Sequence, residues 1–273
     1  MYVENLHLQL TRNCTLECEH CLRGDRENVD MSIKVFDEVF NDIKKVEFLL
    51  LTGGEPLLNI PVLERLVELL KSKAIKVNKI ILITNGTVLN DRVLEILHEL
   101  QTYSYLSLKL STDIFHSLEI EKKGLSEIRD KNLKILSSSK FYNFSEYGKD
   151  KDSPIPVGLI NKGKARLLTS ERLAEINELS KQKFIINDKY DEQHPLTSID
   201  GDIIYGNITI NVYGYVVSYG LSFEEEDKEA YDKGLNIMEM TCGEAIRAFI
   251  NIHQNEMVKF YKKLGLEYNS ETT

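Results

Sequence analysis

"VEFLLLTGGEPLLNIPVLERLVELL", residues 46–70, holds one complete structural unit: an apolar run, a loop built round paired glycines, and an amphipathic helix. The run at 46–52 has the length and apolar character of a buried strand. Pro61 suits the first position of a helix, where its missing N–H leaves no bond unmade, and Leu63, Leu66, Val67 and Leu70 then share one face.

The unit recurs on both sides. Further strands are expected at 5–11, 79–84, 105–111, 140–146 and 155–160. Ser32 reads as the cap of a helix carrying Ile33, Phe36, Val39, Phe40 and Ile43 inward, and Asn90 as the cap of one carrying Val93, Leu97 and Leu100. Ser170 begins a later helix. Strand and helix alternating in this way predict an α/β fold with a parallel sheet, a partial (β/α)6 TIM-like barrel short of eight strands. In "YLSLKLSTD", residues 105–113, Leu106, Leu108 and Leu110 alternate with Ser107, Lys109 and Ser111, so the apolar face goes under the helices and the polar face lines a lumen. The first strand repeats the pattern with Leu6, Leu8 and Leu10 against His7, Gln9 and Thr11.

Beyond about residue 185 the pattern changes to "IYGNITINVYGYVVSYG", residues 204–220, a hairpin turning near Gly214. An acidic stretch at 224–229 reads as a solvated loop, and a long helix is expected from Cys242. The expected division is a core at 1–185 and a hairpin-plus-helix appendage at 186–273.

The chain of 273 residues is 42% hydrophobic and 28% charged, as a globular protein is, and its net charge of -9 gives no general attraction to nucleic acid or to an anionic membrane. No signal peptide and no apolar run of membrane-spanning length is present in the sequence, so a cytoplasmic location is expected. Three of the four cysteines crowd into "NCTLECEHCLRG", residues 13–24. That is a poor disulfide framework and a good metal loop.

Cys14, Cys18 and Cys21 follow the end of the first strand, at the rim where parallel sheets assemble their sites. Three thiolates on one loop can hold three corners of an iron–sulfur cube and leave one iron open to an exogenous chelate. The alternative is a zinc site closed by His20 or Cys242 as fourth ligand. "LTGGEPLL", residues 51–58, adds glycines that permit close backbone approach and a carboxylate, Glu55, that can accept from an ammonium group.

In its C-x3-C-x-x-C loop and the motifs that follow in order, the sequence resembles the radical S-adenosylmethionine (radical SAM) superfamily. The resemblance covers roughly residues 5–168. It implies a 4Fe-4S cluster on Cys14, Cys18 and Cys21, with Gly53 and Gly54 along the methionine part of S-adenosylmethionine and Glu55 near its amino group. "ITNGTVLN", residues 83–90, is similar to the family's Thr-Asn-Gly segment and adds Asn85. "LSTDIFH", residues 110–116, adds Ser111 and Asp113 toward the ribose, with His116 beside them. "GLINKGKARLL", residues 158–168, resembles a Gly-Arg-Ala-like turn, which brings Gly163 by its backbone and Arg166 as a partner for the cofactor's carboxylate.

"ITINVYGYVVSYG" and "GLNIMEM" (208–220 and 234–240) resemble the hairpin of the SPASM or twitch domain, which binds auxiliary clusters in peptide-modifying relatives. Tyr219 stands where a cysteine would follow, so one cluster only is expected, with Cys242 a buried or unpaired thiol. What the resemblance implies is reductive cleavage of S-adenosylmethionine to a 5'-deoxyadenosyl radical, an electron donor of flavodoxin or ferredoxin type, and hydrogen abstraction from a peptide or protein, as in maturation of a ribosomally made peptide. The chain starts almost at its first strand, so no N-terminal leader-recognition domain is expected. A nucleoside or other small metabolite is the alternative substrate, and a non-catalytic iron–sulfur protein the alternative class. Ser107, Lys109, Tyr142 and Asn143 are the lumen-facing candidates for substrate contact.

Overall fold

The computed structural model describes residues 1–139, 143–147, 157–160, 163–180, 184–187, 198–218 and 221–263. Strands β1 (Tyr2–Thr11), β2 (Lys45–Gly53), β3 (Lys76–Thr84), β4 (Tyr105–Ser111) and β5 (Asn143–Tyr147) lie side by side in that order, all parallel. Helices α1 (Ile33–Asp42), α2 (Ile60–Lys71) and α3 (Asp91–Tyr103) make the first three crossovers, and α4 (Ile114–Lys122) and α5 (Ser126–Ser138) follow β4. Then come β6 (Val157–Ile160), α6 (Ser170–Ser180), β7 (Phe184–Asn187), β8 (Ser198–Asp200), β9 (Ile203–Ile210), β10 (Val216–Val217), α7 (Phe223–Lys233) and α8 (Cys242–Lys263).

The helices start where polar side chains can take up their free N–H groups. Ser32 accepts from Val35, Asn59 from Val62 and Asn90 from Val93. Helix α2 begins at Ile60, which makes Pro61 its second residue. Asn59 also donates to the carbonyls of Leu10 and Met31 at 2.7 and 2.9 Å, pinning the start of α2 to β1.

The alternation in β1 and β4 is realised as side-chain direction. Leu6, Leu8, Leu10, Leu106 and Leu108 are buried on the face covered by helices, with Leu49, Leu51, Ile80 and Leu82 beside them. Val35, Phe36, Val39 and Phe40 of α1, Leu63, Leu66 and Leu70 of α2, Val93, Leu97 and Leu100 of α3, and Ala245, Ile246, Phe249 and Ile250 of α8 close the same core.

The structure departs from the expected architecture in three places. The strand expected at 155–160 is described at 157–160 as β6 and pairs with β7 in a separate two-stranded sheet, so among the described residues the main sheet ends at β5 and the barrel is partial, as expected, with five of the six strands in its wall. The hairpin of β9 and β10 forms, and β9 also lies parallel to β1, with Ile204, Ile208 and Ile210 buried in the common core. This pairing gives ladder partners to β1, which would otherwise be a sheet edge. Finally, the acidic stretch is helix α7. Ser222 and Glu225 form a capping box, and Glu224, Glu225 and Glu226 in its first turn suit the positive end of the helix dipole. No helix among the described residues is long and apolar enough to cross a membrane.

Candidate active site at the carboxyl ends of the strands

The loop leaving β1 carries Cys14, Cys18 and Cys21 and returns to bridge Asp30 to Thr11. Turns from Cys18 O to Cys21 N (3.1 Å) and from Cys21 O to Gly24 N (3.2 Å) coil it. All of these thiols are free, and they line one cavity of about 320 Å³ together with Gly53, Gly54, Asn85, Ser111 and His116. Burial, and after it the nearby Glu55 carboxylate, push the Cys14 thiol up to about 12. Cys18 is likewise driven well upward by burial and by its neighbours Cys21 and Cys14. Thiols this close and this poorly solvated become good ligands once a bound cation replaces their protons. The donor set therefore fits an iron–sulfur cluster.

The glycines answer to the same loop. Gly54 N donates to Thr11 O and Glu55 N to Asn13 O, each at 2.8 Å, so the end of β2 is zipped onto the stem of the cysteine loop. A Cβ on Gly53 would strike the Thr11 carbonyl, and one on Gly54 the Asn13 carbonyl. Gly53 also sits at φ +140°, a conformation that L side chains rarely adopt. Their close backbone approach is thus to this chain's own backbone, beside the cavity they line.

Glu55 is fully buried and absent from the cavity wall. It accepts from Leu57 N at 3.2 Å, Thr84 Oγ1 at 2.9 Å and Asn85 N at 2.8 Å, which ties the Gly-Gly-Glu-Pro turn to the end of β3. Burial raises its carboxyl to about 7 against the pull of these donors. Asn85 does reach the cavity, donating to Thr15 Oγ1 at 3.0 Å and approaching Cys14 Sγ at 3.7 Å.

Ser111 lines the cavity, but Asp113 is turned to another task. It caps α4 through His116 N and accepts from His116 Nδ1 at 2.6 Å, with His20 Nε2 at 3.5 Å. Burial pushes its carboxyl up, yet the hydrogen bonds from His116 and His20 outweigh this and hold it well below the usual carboxylate range. His20 stacks on Phe115 at 4.3 Å and meets His116 edge-on. Cys18, His20 and His116 bring ligand atoms within 4.8 Å of one another.

Gly163 opens a 3-10 turn, Gly163–Leu167, whose Lys164 N donates to Cys21 O at 2.9 Å. Arg166 does not line the cavity and pairs with Glu224 of α7 at 2.7 Å. Cys242 starts α8 inside the main core, a different cluster from that of the loop cysteines, so it is no fourth ligand. Ser107 is buried and Lys109 half-buried, and neither lines the cavity. Asn143 lies opposite Ser107 in the β4–β5 register, while Tyr142 and Tyr219 fall outside the described residues.

His7, on the polar face of β1, lines the wall as well, and so do four residues to which the sequence assigns no role: Arg12, Arg23, Arg26 and Phe223. Arg12 is entirely buried, bonded to Asp227 at 2.5 and 2.9 Å and to Glu27 at 3.2 Å, with its guanidinium over the rings of Tyr213 and Phe223. Glu226 takes Arg23 at 2.6 Å and Gln9 at 2.9 and 3.0 Å. His7 contacts Thr52 Oγ1, with Arg23 at 3.5 Å and Thr209 at 3.4 Å. Burial, helped by the Arg23 charge, holds the His7 imidazole well below its ordinary range and so neutral. The alternation in β1 marked His7 as lumen-facing, but nothing local announces a pair such as Gln9 and Glu226, 217 residues apart.

Comparison with known proteins places these features. The chain is 29% identical over 148 residues to an uncharacterized protein of Methanocaldococcus jannaschii, an alignment covering 52% of this chain and 50% of that one. It is 33% identical over 103 residues to GTP 3',8-cyclase of Clostridium perfringens, covering 34% and 31%. A Bacillus subtilis protein named "Putative peptide biosynthesis protein YydG" is 23% identical over 141 residues, covering 49% and 43%. The matched segments thus span half or less of these relatives. The family model described as "Radical SAM superfamily" matches residues 8–147, a span that holds the cysteine loop, the Gly-Gly-Glu-Pro turn, Asn85 and Ser111. With more than half of its length so matched, the chain belongs to the radical SAM superfamily.

Proposed function

We propose that this protein is a radical SAM enzyme that takes hydrogen from a peptide or protein substrate. One observation carries the reading: Cys14, Cys18 and Cys21 share a single cavity with Gly53, Gly54, Asn85 and Ser111 at the carboxyl ends of parallel strands. Cys14, Cys18 and Cys21 would hold a 4Fe-4S cluster, and the wall from Gly53 to Ser111 would receive S-adenosylmethionine. When bound, the cluster and S-adenosylmethionine supply a 5'-deoxyadenosyl radical strong enough to break an unactivated C–H bond, with a flavodoxin- or ferredoxin-like protein as electron donor.

The chain's own residues position and enclose. Asn85 fixes the first turn of the cysteine loop through Thr15, and Glu55 fixes Asn85 in turn. Asp113 anchors His20, one residue before Cys21, to α4. Arg12, Arg23 and Phe223 form the side of the cavity toward α7 and are held there by Asp227 and Glu226, which would help orient the target of a reactive intermediate. The peptide reading draws on the printed name of the Bacillus subtilis relative. The match to GTP 3',8-cyclase favours a nucleotide as the second reading.

The test is anaerobic reconstitution with iron and sulfide, then reductant and S-adenosylmethionine. Release of 5'-deoxyadenosine from the native chain and its absence in Cys18→Ala is the expected result. An iron-loaded chain that releases none would be a non-catalytic cluster protein.

A further inference from the structure

The cations on the cavity wall are already spent. Three arginines line it among the described residues, Arg12, Arg23 and Arg26, and each is neutralised within the protein. Arg12 faces Asp227 at 2.5 Å and Glu27 at 3.2 Å, Arg23 faces Glu226 at 2.6 Å, and Arg26 faces Glu17 at 2.8 Å. A polyphosphate is gripped by uncompensated Lys or Arg forks, by a metal ion, or by a run of free backbone N–H groups. The arginines of this wall are not free to supply the first of these.

A second cavity, of about 210 Å³, adjoins the first. It is lined by Asn5, Leu6, His7, Phe48, Leu50, Ile81 and Asn207, and His7 and Leu50 belong to both walls. Among the described residues the lining holds no Asp, Glu, Lys or Arg. It offers an apolar patch from Phe48, Leu50 and Ile81, with the carboxamides of Asn5 and Asn207 alongside. Lys79, the cation nearest in register, rides over the rings of Phe48 and Tyr105 at 6.0 and 5.4 Å. Apolar walls with a few amide groups suit an apolar side chain attached to an amide backbone.

We infer that the substrate group presented to the radical is uncharged and amide-bearing, that its apolar side chain occupies the second cavity, and that His7 and Leu50 at the junction set this specificity against nucleoside polyphosphates. The inference rests on the proposed radical chemistry of the first cavity, and names the substrate class that the adjoining space selects.

The test uses the full chain, reconstituted anaerobically and supplied with S-adenosylmethionine, and ligand-observed NMR with N-acetyl-leucinamide, N-acetyl-phenylalaninamide and GTP as probes. The amides should bind saturably and GTP at least about tenfold more weakly, because among the described residues each arginine lining the first cavity is paired with a carboxylate and no Lys or Arg lines the second. Leu50→Trp, which fills the junction, should weaken the amides several-fold. Ile81→Trp on the next strand makes the same test should the first variant not fold, as judged by circular dichroism. Glu226→Gln uncovers Arg23 and should tighten GTP. GTP binding as tight as the amides, or amide binding unmoved by a folded tryptophan variant, overturns the inference. Release of 5'-deoxyadenosine in the same preparation separates the two claims: its absence counts against the proposed function, whereas a preference for GTP with release intact counts against the substrate class alone.

Discussion

The guanidinium of Arg23, two residues past the last loop cysteine, donates to the carboxylate of Glu226 at 2.6 Å across 203 residues of chain. The pair is buried, and Glu226 also accepts from Gln9 on β1. Helix α7 is thereby fastened to both the strand and the loop that shape the cavity. Removing one partner of a buried pair leaves the other charge without compensation, so Glu226→Ala should cost about 3 kcal/mol. Arg166→Ala, which breaks the largely exposed pair with Glu224, should cost less than about 1 kcal/mol. Urea denaturation of both variants checks the contrast, and equal losses would contradict it.

Gly54→Ala should disturb the cysteine loop without touching a cysteine. Its new methyl would collide with the Asn13 carbonyl next to Cys14. The expected outcome is a folded chain that takes up markedly less iron on reconstitution than the native protein, read by iron assay and circular dichroism. Full iron uptake would show that the loop tolerates the displacement.

His7 makes stability depend on pH. Its folded-state value lies below the ordinary 6.5, so below that pH the unfolded chain takes up a proton that the folded chain refuses. Stability is fully present above 6.5 and falls as the solution is acidified, with a slope approaching about 1.4 kcal/mol per pH unit until the depressed folded value is reached. His7→Gln removes this contribution. The difference in unfolding free energy between native and variant should therefore shrink from pH 7.5 to 5.5, as followed by urea titration, and a constant difference would contradict the burial of a neutral imidazole.

Arg166 separates resemblance from geometry. The turn at 158–168 resembles one that approaches the cofactor, yet its arginine pairs with α7 and does not line the cavity. Arg166→Ala should leave the affinity for S-adenosylmethionine within about twofold, which is a change of under 0.5 kcal/mol, whereas Asn85→Ala should weaken it clearly. Equilibrium binding to the reconstituted chain measures both. A large loss with Arg166→Ala would place that side chain at the ligand.

The parallel sheet was legible because its signals are local. The leucine alternation in β1 and β4 set the buried face, and Ser32 and Asn90 marked helix starts by their own hydrogen-bonding chemistry. The cysteine loop was legible for the same reason. Long-range pairing was not. That β9 lies against β1, that β6 leaves the main sheet for β7, and that Glu226 turns inward to Arg23 depend on contacts between distant segments. An acidic run is solvated unless buried arginines await it, and Arg12 and Arg23 gave no local sign that they would. Motif resemblance placed Glu55 and Asp113 at the cofactor, and the structure shows each bonded inward, one to the end of β3 and one to α4.

The central claim, that Cys14, Cys18 and Cys21 hold one four-iron cluster with an iron open to S-adenosylmethionine, is tested most directly by electron paramagnetic resonance of the reduced, reconstituted chain. The account predicts the signal of a single 4Fe-4S cluster that changes shape when S-adenosylmethionine is added, is lost in Cys18→Ala and persists in Cys242→Ala. A chain that binds zinc in place of iron, or a cluster signal indifferent to S-adenosylmethionine, would contradict it.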